Sequence, residues 1–167
     1  MTSSNSFYVD TSVIVARYKP ADPLHREAEK LLQGKGARLY VSPVSLLELY
    51  SVLSRVRDEL ESPLLEEPIL ETLITFIVQD CKLSILSQSR IVERRLAGQT
   101  LTIPLEYHLA MRYADRMKLR TLDMLHLAWA HIHGVNRFVT GDEEILERSK
   151  TIKEIFKVKT LHPREIT

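Results

Sequence analysis

Cysteine and glycine are both scarce in this sequence: of 167 residues, one is cysteine and five are glycine. A lone cysteine, Cys81, can form neither a disulfide within the chain nor a four-thiolate zinc site, so we expect a reducing, cytoplasmic compartment. The glycines form no G-x-G-x-x-G motif and no P-loop, and the sequence has no G-x-S-x-G motif. These absences argue against the nucleotide-binding proteins and serine hydrolases that depend on such motifs.

Net charge, aromatic residues and long apolar runs are scarce as well. Basic residues exceed acidic ones by one, so no overall field marks a nucleic-acid-binding protein. Six Tyr, four Phe and one Trp do not indicate a platform for stacking bases. No apolar stretch approaches the roughly 20 residues of a membrane helix, and residues 1–6 lack the pattern of a signal peptide. We therefore expect no membrane insertion and no export.

Charge is nevertheless distributed unevenly along the chain. Residues 58–80 hold seven acids and no Lys or Arg, whereas residues 82–120 hold eight bases and three acids. Either segment can be a solvated helix face, but the second can also attract phosphate. Any polyanion site is therefore expected to be local.

Short apolar runs alternate with helical stretches, which predicts a single α/β domain over residues 7–162, after a disordered leader (1–6) and before a tail (163–167). Strands are predicted at residues 7–9, 38–41, 83–86, 137–140 and 158–161, and helices at 13–18, 23–33, 43–57, 63–80 and 122–133. A further amphipathic helix is predicted after Pro104, with apolar positions from 110 to 117, and a short helix after residue 142. For residues 87–103 the pattern favours a short helix at 90–96 and an extended segment at 101–103. No hairpin signal separates the strands, so we expect a mostly parallel sheet with helices on both faces.

Four acidic residues interrupt apolar sequence. Asp10 and Asp142 follow predicted strands, while Glu48 and Asp123 lie in early turns of predicted helices. Ligand crevices form at the carboxyl ends of parallel strands, so these four side chains can meet at one edge. Four carboxylates brought together would repel one another unless a cation neutralised them, and oxygen ligands suit Mg²⁺ or Mn²⁺. The pattern predicts metal-assisted phosphate chemistry.

Each acid also has an ordinary structural interpretation. Asp10 and Asp142 can cap the helices that follow them, and Asp123 can be favoured by the positive end of its helix. Glu48 can form an ion pair with an arginine. A coincidence at all four positions is a weaker explanation than a shared site.

A zinc hydrolase is the first competing hypothesis, because His126, His131 and His133 are close in sequence. The chain contains no H-E-x-x-H motif, and residues two apart on a helix do not face together. His126 lies three residues after Asp123 and could approach the acidic cluster, but a buried, hydrogen-bonded histidine is the simpler interpretation. Zinc is therefore not the expected cofactor.

Four motifs in order resemble the PIN domain, a family of magnesium-dependent ribonucleases known as the toxins of VapBC-type toxin–antitoxin pairs. These motifs are Tyr8-Val-Asp10-Thr-Ser12, Ser45-Leu-Leu-Glu48-Leu, Thr121-Leu-Asp123-Met-Leu-His126-Leu-Ala128 and Phe138-Val-Thr140-Gly-Asp142. The resemblance covers residues 7–162. Residues 87–103 depart from it, since this stretch is longer than the minimal family pattern.

The resemblance implies a three-layer α/β/α fold around a short, mostly parallel sheet, and an acidic cluster that holds one or two Mg²⁺ or Mn²⁺ ions. Its metal-binding and catalytic residues would be Asp10, Glu48, Asp123 and Asp142. Thr11, Ser12 and Thr140 are similar to the family's hydroxyl residues that orient the acids or contact water. The implied reaction is hydrolysis of an RNA phosphodiester.

Partners follow from the same resemblance. It implies an RNA substrate, a homodimer and a small antitoxin that inserts a basic side chain into the acidic crevice. Arg17, Lys19 or the basic residues between 90 and 120 could hold phosphate. The alternative is a non-catalytic module of the same fold that binds RNA or protein.

Overall fold

The computed structural model of the chain describes residues 5–59 and 67–166, except for the side chains of residues 56–59 and 67. Its strands are β1 (Ser6–Val9), β2 (Arg38–Val41), β3 (Leu83–Ile85), β4 (Ile91–Leu96), β5 (Gln99–Pro104), β6 (Arg137–Val139) and β7 (Lys159–Leu161). Its helices are α1 (Thr11–Arg17), α2 (His25–Gln33), α3 (Pro43–Glu59), α4 (Glu67–Asp80), α5 (Leu105–Met117), α6 (Thr121–Ile132), α7 (Glu143–Glu147) and α8 (Ser149–Phe156), followed by a 3₁₀ helix (Pro163–Glu165). None of the helices in the described ranges is long and apolar enough to cross a membrane.

Five strands form a parallel sheet in the order β3-β2-β1-β6-β7. Successive side chains of a strand point to opposite faces. Phe7 and Val9 of β1 therefore join the apolar cluster formed with α1 to α4, and Tyr8 joins the cluster formed with α5, α6 and α8. Helices thus cover both faces of the sheet, which confirms the predicted α/β fold with a parallel central sheet.

Several predicted segments lie wholly or partly outside the described residues. These are most of the predicted leader and the first residues of the helix predicted at 63–80, of which the structure describes Glu67–Asp80. Within the described part, β1 begins at Ser6 and the 3₁₀ helix lies in the predicted tail. The proposed domain limits, 7–162, remain a prediction.

Residues 87–103 contradict the sequence prediction in part: the expected helix at 90–96 is a β-strand, whereas the extended segment predicted at 101–103 lies within β5. Strands β4 and β5 pair antiparallel from Ile91↔Pro104 to Leu96↔Gln99, and Ala97 and Gly98 form the turn. Both turn residues have positive φ, +50° and +78°, the requirement of a type I′ hairpin turn. The signal was missed because Ala-Gly is not among the usual turn pairs, and because consecutive charged residues at 93–95 obscure the strand alternation.

The hairpin turn yields a stability prediction. In the left-handed region of backbone conformation, a residue other than Gly, Asn or Asp lowers the stability of the fold by roughly 1–2 kcal/mol. Ala97→Asn should therefore stabilise the protein by about 1 kcal/mol, and Ala97→Gly by somewhat less because glycine loses more chain entropy. Thermal unfolding should show a rise in Tm of about 2–4 °C for Ala97→Asn.

The matched control for the turn is Ala114→Gly, at an exposed position inside α5. Glycine in a helix interior costs about 1 kcal/mol, so the same substitution should lower Tm there. A fall in Tm for Ala97→Asn would contradict the turn assignment.

Candidate metal centre

The four predicted acids line one cleft of about 730 Å³ at the carboxyl edge of the sheet. Asp10 follows β1 directly, and Asp142 lies three residues after β6, which is the neighbour of β1 in the sheet. Glu48 comes from the second turn of α3, and Asp123 from the first turn of α6. The structure therefore brings all four side chains together.

Asp10 is held by hydroxyl groups. Its Oδ2 accepts hydrogen bonds from Ser12 Oγ at 2.7 Å and from Thr140 Oγ1 at 2.6 Å. The Thr140 hydroxyl also accepts a bond from the Asp142 backbone N–H at 2.9 Å, which links the first and last acids of the cluster. Thr11 is buried and lines the cleft. Ser12 and Thr140 thus fix the orientation of the Asp10 carboxylate, and the role that the resemblance implies for them stays a prediction.

Glu48 is held by His126, for which the sequence allowed either a place near the acidic cluster or a purely structural role. The Glu48 Oε2 lies 2.8 Å from His126 Nε2, and the other ring nitrogen, Nδ1, lies 2.7 Å from the Tyr8 hydroxyl. The Tyr8 hydroxyl also lies 2.6 Å from the Ser42 hydroxyl. His126 is only 1% exposed, so its ring is fixed between a buried hydroxyl network and the cleft.

This network sets the protonation of its members. Burial raises the pKa of Tyr8, so its hydroxyl stays protonated and available for hydrogen bonds. Burial also raises the pKa of Glu48, but His126, Thr11 and Arg120 together lower it by more, so that the pKa of Glu48 lies below its ordinary value. Glu48 is therefore ionised at neutral pH.

Asp123 and Asp142 share one arginine. Arg120 Nε donates to Asp123 Oδ2 at 2.9 Å, and Arg120 Nη2 contacts Asp142 Oδ2. Asp142 also caps α7, because its Oδ1 accepts a bond from the Glu144 backbone N–H at 2.9 Å. Asp142 therefore caps α7, as one of the two sequence interpretations predicted, and its side chain still lines the cleft.

The electrostatics of Asp123 differ from those of Glu48. Burial raises the pKa of Asp123, the nearby Asp10 and Asp142 raise it further, and Arg120 only partly offsets this rise. Arg120 has a pKa raised above its ordinary value, chiefly by its hydrogen bond to Asp123. At this end of the cleft, the single positive charge of Arg120 therefore faces two carboxylates, Asp123 and Asp142.

The basic residues named from the sequence are placed differently. Arg17 is paired with Asp80 at 2.6 Å and donates to the Cys81 sulfur at 3.2 Å, so it is engaged elsewhere. Of the basic segment 82–120, Arg120 lines the cleft, joined by Arg55 from α3. Sequence reasoning missed Arg55, which carries no signal apart from its place on the helix of Glu48.

The other two histidines stand apart from the acids, as expected from their spacing. His131 Nδ1 lies 2.5 Å from the Phe156 carbonyl oxygen, and His133 stacks on Trp129. Among the described residues, one ligand atom each from Asp10, Glu48 and His126 lie within 4.8 Å of one another, while Asp123 and Asp142 line the same cleft outside this group. Carboxylate oxygens remain the main ligand atoms that the cleft offers to a metal ion.

Comparisons with known proteins concern the family and the fold of the chain. The family model of the PIN domain matches residues 7–150. No match was found among curated proteins. Among solved structures, VapC20 of Mycobacterium tuberculosis, described as a toxin that cleaves the sarcin-ricin loop, is 17% identical with a TM-score of 0.57, over 84% of this chain and 93% of that one.

Two complexes are similar to a comparable degree. VapBC2 of Rickettsia felis, bound to a DNA fragment from its promoter, is 14% identical with a TM-score of 0.57, over 94% of this chain and 98% of that one. FitAcB of Neisseria gonorrhoeae is 16% identical with a TM-score of 0.55, over 95% and 98%. At such low identity these likenesses show a shared fold.

Proposed function

We propose that this chain, which belongs to the PIN domain family, is a divalent-metal-dependent ribonuclease that hydrolyses RNA phosphodiester bonds in the acidic cleft. The observation that carries the proposal is the convergence of Asp10, Glu48, Asp123 and Asp142 on one cleft. Grouped carboxylates of this kind are unfavourable without a cation, and they are the ligands that Mg²⁺ and Mn²⁺ prefer.

The residues present fit such a cation. In the described ranges, neither Asp10 nor Glu48 forms an ion pair with a lysine or arginine, and both have fixed orientations through Ser12, Thr140 and His126. Metal ligands are commonly oriented by outer hydrogen bonds of this kind. Asp123 and Asp142, whose partner is a mostly exposed arginine, would complete the ligand set.

A divalent ion in this cleft would supply a Lewis acid for the scissile phosphate and a water of lowered pKa as nucleophile. The chain contributes the rest. Ser12 and Thr140 hold Asp10 in place, His126 keeps Glu48 ionised and oriented, and Arg55 offers a positive charge to the phosphates of a bound strand. No histidine general base is needed for this scheme.

The partners follow from the same family membership. We propose that the chain is the toxin of a toxin–antitoxin pair, in line with its similarity to VapBC2 and VapC20. A small antitoxin would neutralise the cleft with a basic side chain, and the toxin would act as a homodimer in the cytoplasm. Co-purification of the chain with the product of an adjacent short reading frame would test this assignment.

Removal of metal gives the direct test of the nuclease. Purified protein incubated with structured RNA should cleave it in Mg²⁺ or Mn²⁺, lose cleavage in EDTA, and regain it when either ion is added back in excess. The loss should be complete within the assay, because the ion supplies several kcal/mol of charge stabilisation. Gel analysis of end-labelled RNA provides the measurement.

The second candidate function is a non-catalytic module of the same fold. It is favoured by the Arg120 contacts, which already neutralise part of the acidic cluster. An absence of cleavage with every RNA tested in both ions would favour this alternative over the enzyme, whereas cleavage that continues in EDTA would contradict the metal dependence.

A further inference from the structure

Arg120 is placed to act as a cation inside the acidic cleft. It occupies the N-cap position of α6 and reaches two acids from different elements, Asp123 of α6 and Asp142 at the start of α7. Its side chain is 65% exposed, whereas the side chains of Asp123 and Asp142 are only 9% and 23% exposed. The arginine therefore lies over the carboxylates from the solvent side.

Its contacts use the same oxygens that a divalent ion would need. Arg120 approaches both oxygens of Asp123, with Nε at 2.9 Å from Oδ2 and Nη2 at 3.5 Å from Oδ1. Since the backbone N–H of Glu144 uses the Oδ1 of Asp142, Arg120 takes the oxygen that remains. A cation that coordinates Asp123 and Asp142 through these oxygens therefore competes with Arg120 for their lone pairs and their negative charge.

Displacement is sterically and energetically feasible. Arg120 is a mostly exposed side chain, and exposed ion pairs are typically weak because water screens them. A divalent ion carries twice the charge and binds carboxylates directly. The released guanidinium would still be at the rim of the cleft, where an RNA phosphate could accept its hydrogen bonds.

We propose that Arg120 is a built-in counter-cation of the cleft, which neutralises Asp123 and Asp142 in the metal-free protein and competes with the divalent ion for them. This inference rests on the proposed cation site and is independent of RNA hydrolysis. It predicts that the arginine weakens metal binding while it stabilises the metal-free fold.

The experiment compares full-length Arg120→Gln with the unaltered protein and with Arg55→Gln. Arg55 lines the same cleft, and in the described structure it forms no ion pair with the four acids, so its variant reports the general effect of removing one positive charge. Binding of Mn²⁺ is measured by calorimetry, and Tm is measured with and without Mn²⁺. Removal of a competing exposed ion pair of ordinary strength should raise Mn²⁺ affinity about two- to fivefold.

Arg120→Gln should also lower Tm in the absence of metal and gain more from added Mn²⁺ than either reference protein. Arg120→Lys keeps the charge but not the forked geometry of the guanidinium. Its Mn²⁺ affinity and its Tm should therefore lie between those of the unaltered protein and those of Arg120→Gln. Equal or weaker Mn²⁺ binding by Arg120→Gln, a gain no larger than that of Arg55→Gln, or no Mn²⁺ binding by any of the proteins would overturn the inference.

RNA cleavage by the same samples separates the two proposals. Tighter Mn²⁺ binding by Arg120→Gln without RNA cleavage by any sample would support the counter-cation and count against the nuclease. Cleavage by the unaltered protein, combined with unchanged Mn²⁺ affinity in Arg120→Gln, would support the nuclease and overturn the counter-cation.

Discussion

Asp10→Asn is expected to reduce metal-dependent RNA cleavage about a thousandfold, while the protein stays folded. Asp10 is the acid that the fold holds most firmly, with both Ser12 and Thr140 bonded to its Oδ2. Asparagine keeps the size of the side chain but removes the charge that a cation needs. A loss of about 4 kcal/mol of transition-state stabilisation, within the range for a metal site, corresponds to this factor.

The measurement for Asp10→Asn is the initial rate of RNA cleavage at saturating Mg²⁺, with circular dichroism to establish that the fold is retained. Asp115→Asn provides the control, because Asp115 is exposed on α5 and does not line the cleft. It removes the same charge from the same protein and should leave the rate unchanged. Equal rates for Asp10→Asn and the unaltered protein would exclude Asp10 from the catalytic site.

The central fold could be predicted because its signals are local. Parallel strands buried on both faces are short apolar runs, as in Phe7, Tyr8 and Val9, and each run is followed by helix-starting residues. The predicted last strand begins one residue late in the structure, at Lys159, and helix α8 before it was not anticipated. Element boundaries depend on tertiary packing, which local patterns do not contain.

The hairpin β4–β5 could not be predicted by the same reasoning. Its inner face is only half-buried, and Arg94 packs there by donating from Nη1 to the His108 carbonyl oxygen of α5 at 3.4 Å. A strand whose packed face includes an arginine does not show apolar alternation. The extended conformation of β4 is therefore determined by its pairing with β5 and by its contact with α5.

The position of the site could be inferred from the sequence, but its internal connections could not. Acids that end apolar runs predict a cluster at the carboxyl edge, since topology alone brings such residues together. Arg120 and Asp123 are three residues apart at the start of α6, a spacing at which side chains meet, so their contact could have been predicted from the sequence. Tyr8 and His126 are separated by 118 positions, and nothing in the sequence specifies their hydrogen bond.

His126→Leu is expected to lower Tm by about 4–8 °C and to raise the Mg²⁺ concentration needed for half-maximal cleavage at least tenfold. Leucine fills much of the buried volume but leaves the half-buried Glu48 carboxylate without its partner, which costs roughly 2 kcal/mol. Loss of a hydrogen bond that orients a metal ligand typically weakens metal binding 10- to 100-fold. His126 acts through Glu48 and is therefore a positioning residue.

The sign of the pH dependence provides a second test of this role. Because His126 lowers the pKa of Glu48 in the folded protein, the bond stabilises the fold above the unfolded pKa of about 4.5 and is lost as pH falls below it. Without His126, only Thr11 and Arg120 still lower the pKa of Glu48 against the effect of burial, so this pKa rises and the contribution to stability shrinks. The fall in Tm between pH 5 and pH 3 should therefore be smaller in His126→Leu than in the unaltered protein.

His131→Leu supplies the matched control, since His131 lies on the same helix and bonds only the Phe156 carbonyl oxygen in the described structure. It should lower Tm without changing the Mg²⁺ requirement, because it lies outside the cleft. His126→Gln, whose amide can still donate to Glu48, should recover part of the metal affinity. A fall in Tm for His126→Leu with an unchanged Mg²⁺ requirement would reduce His126 to a purely structural residue, and the orientation of Glu48 would then need another cause.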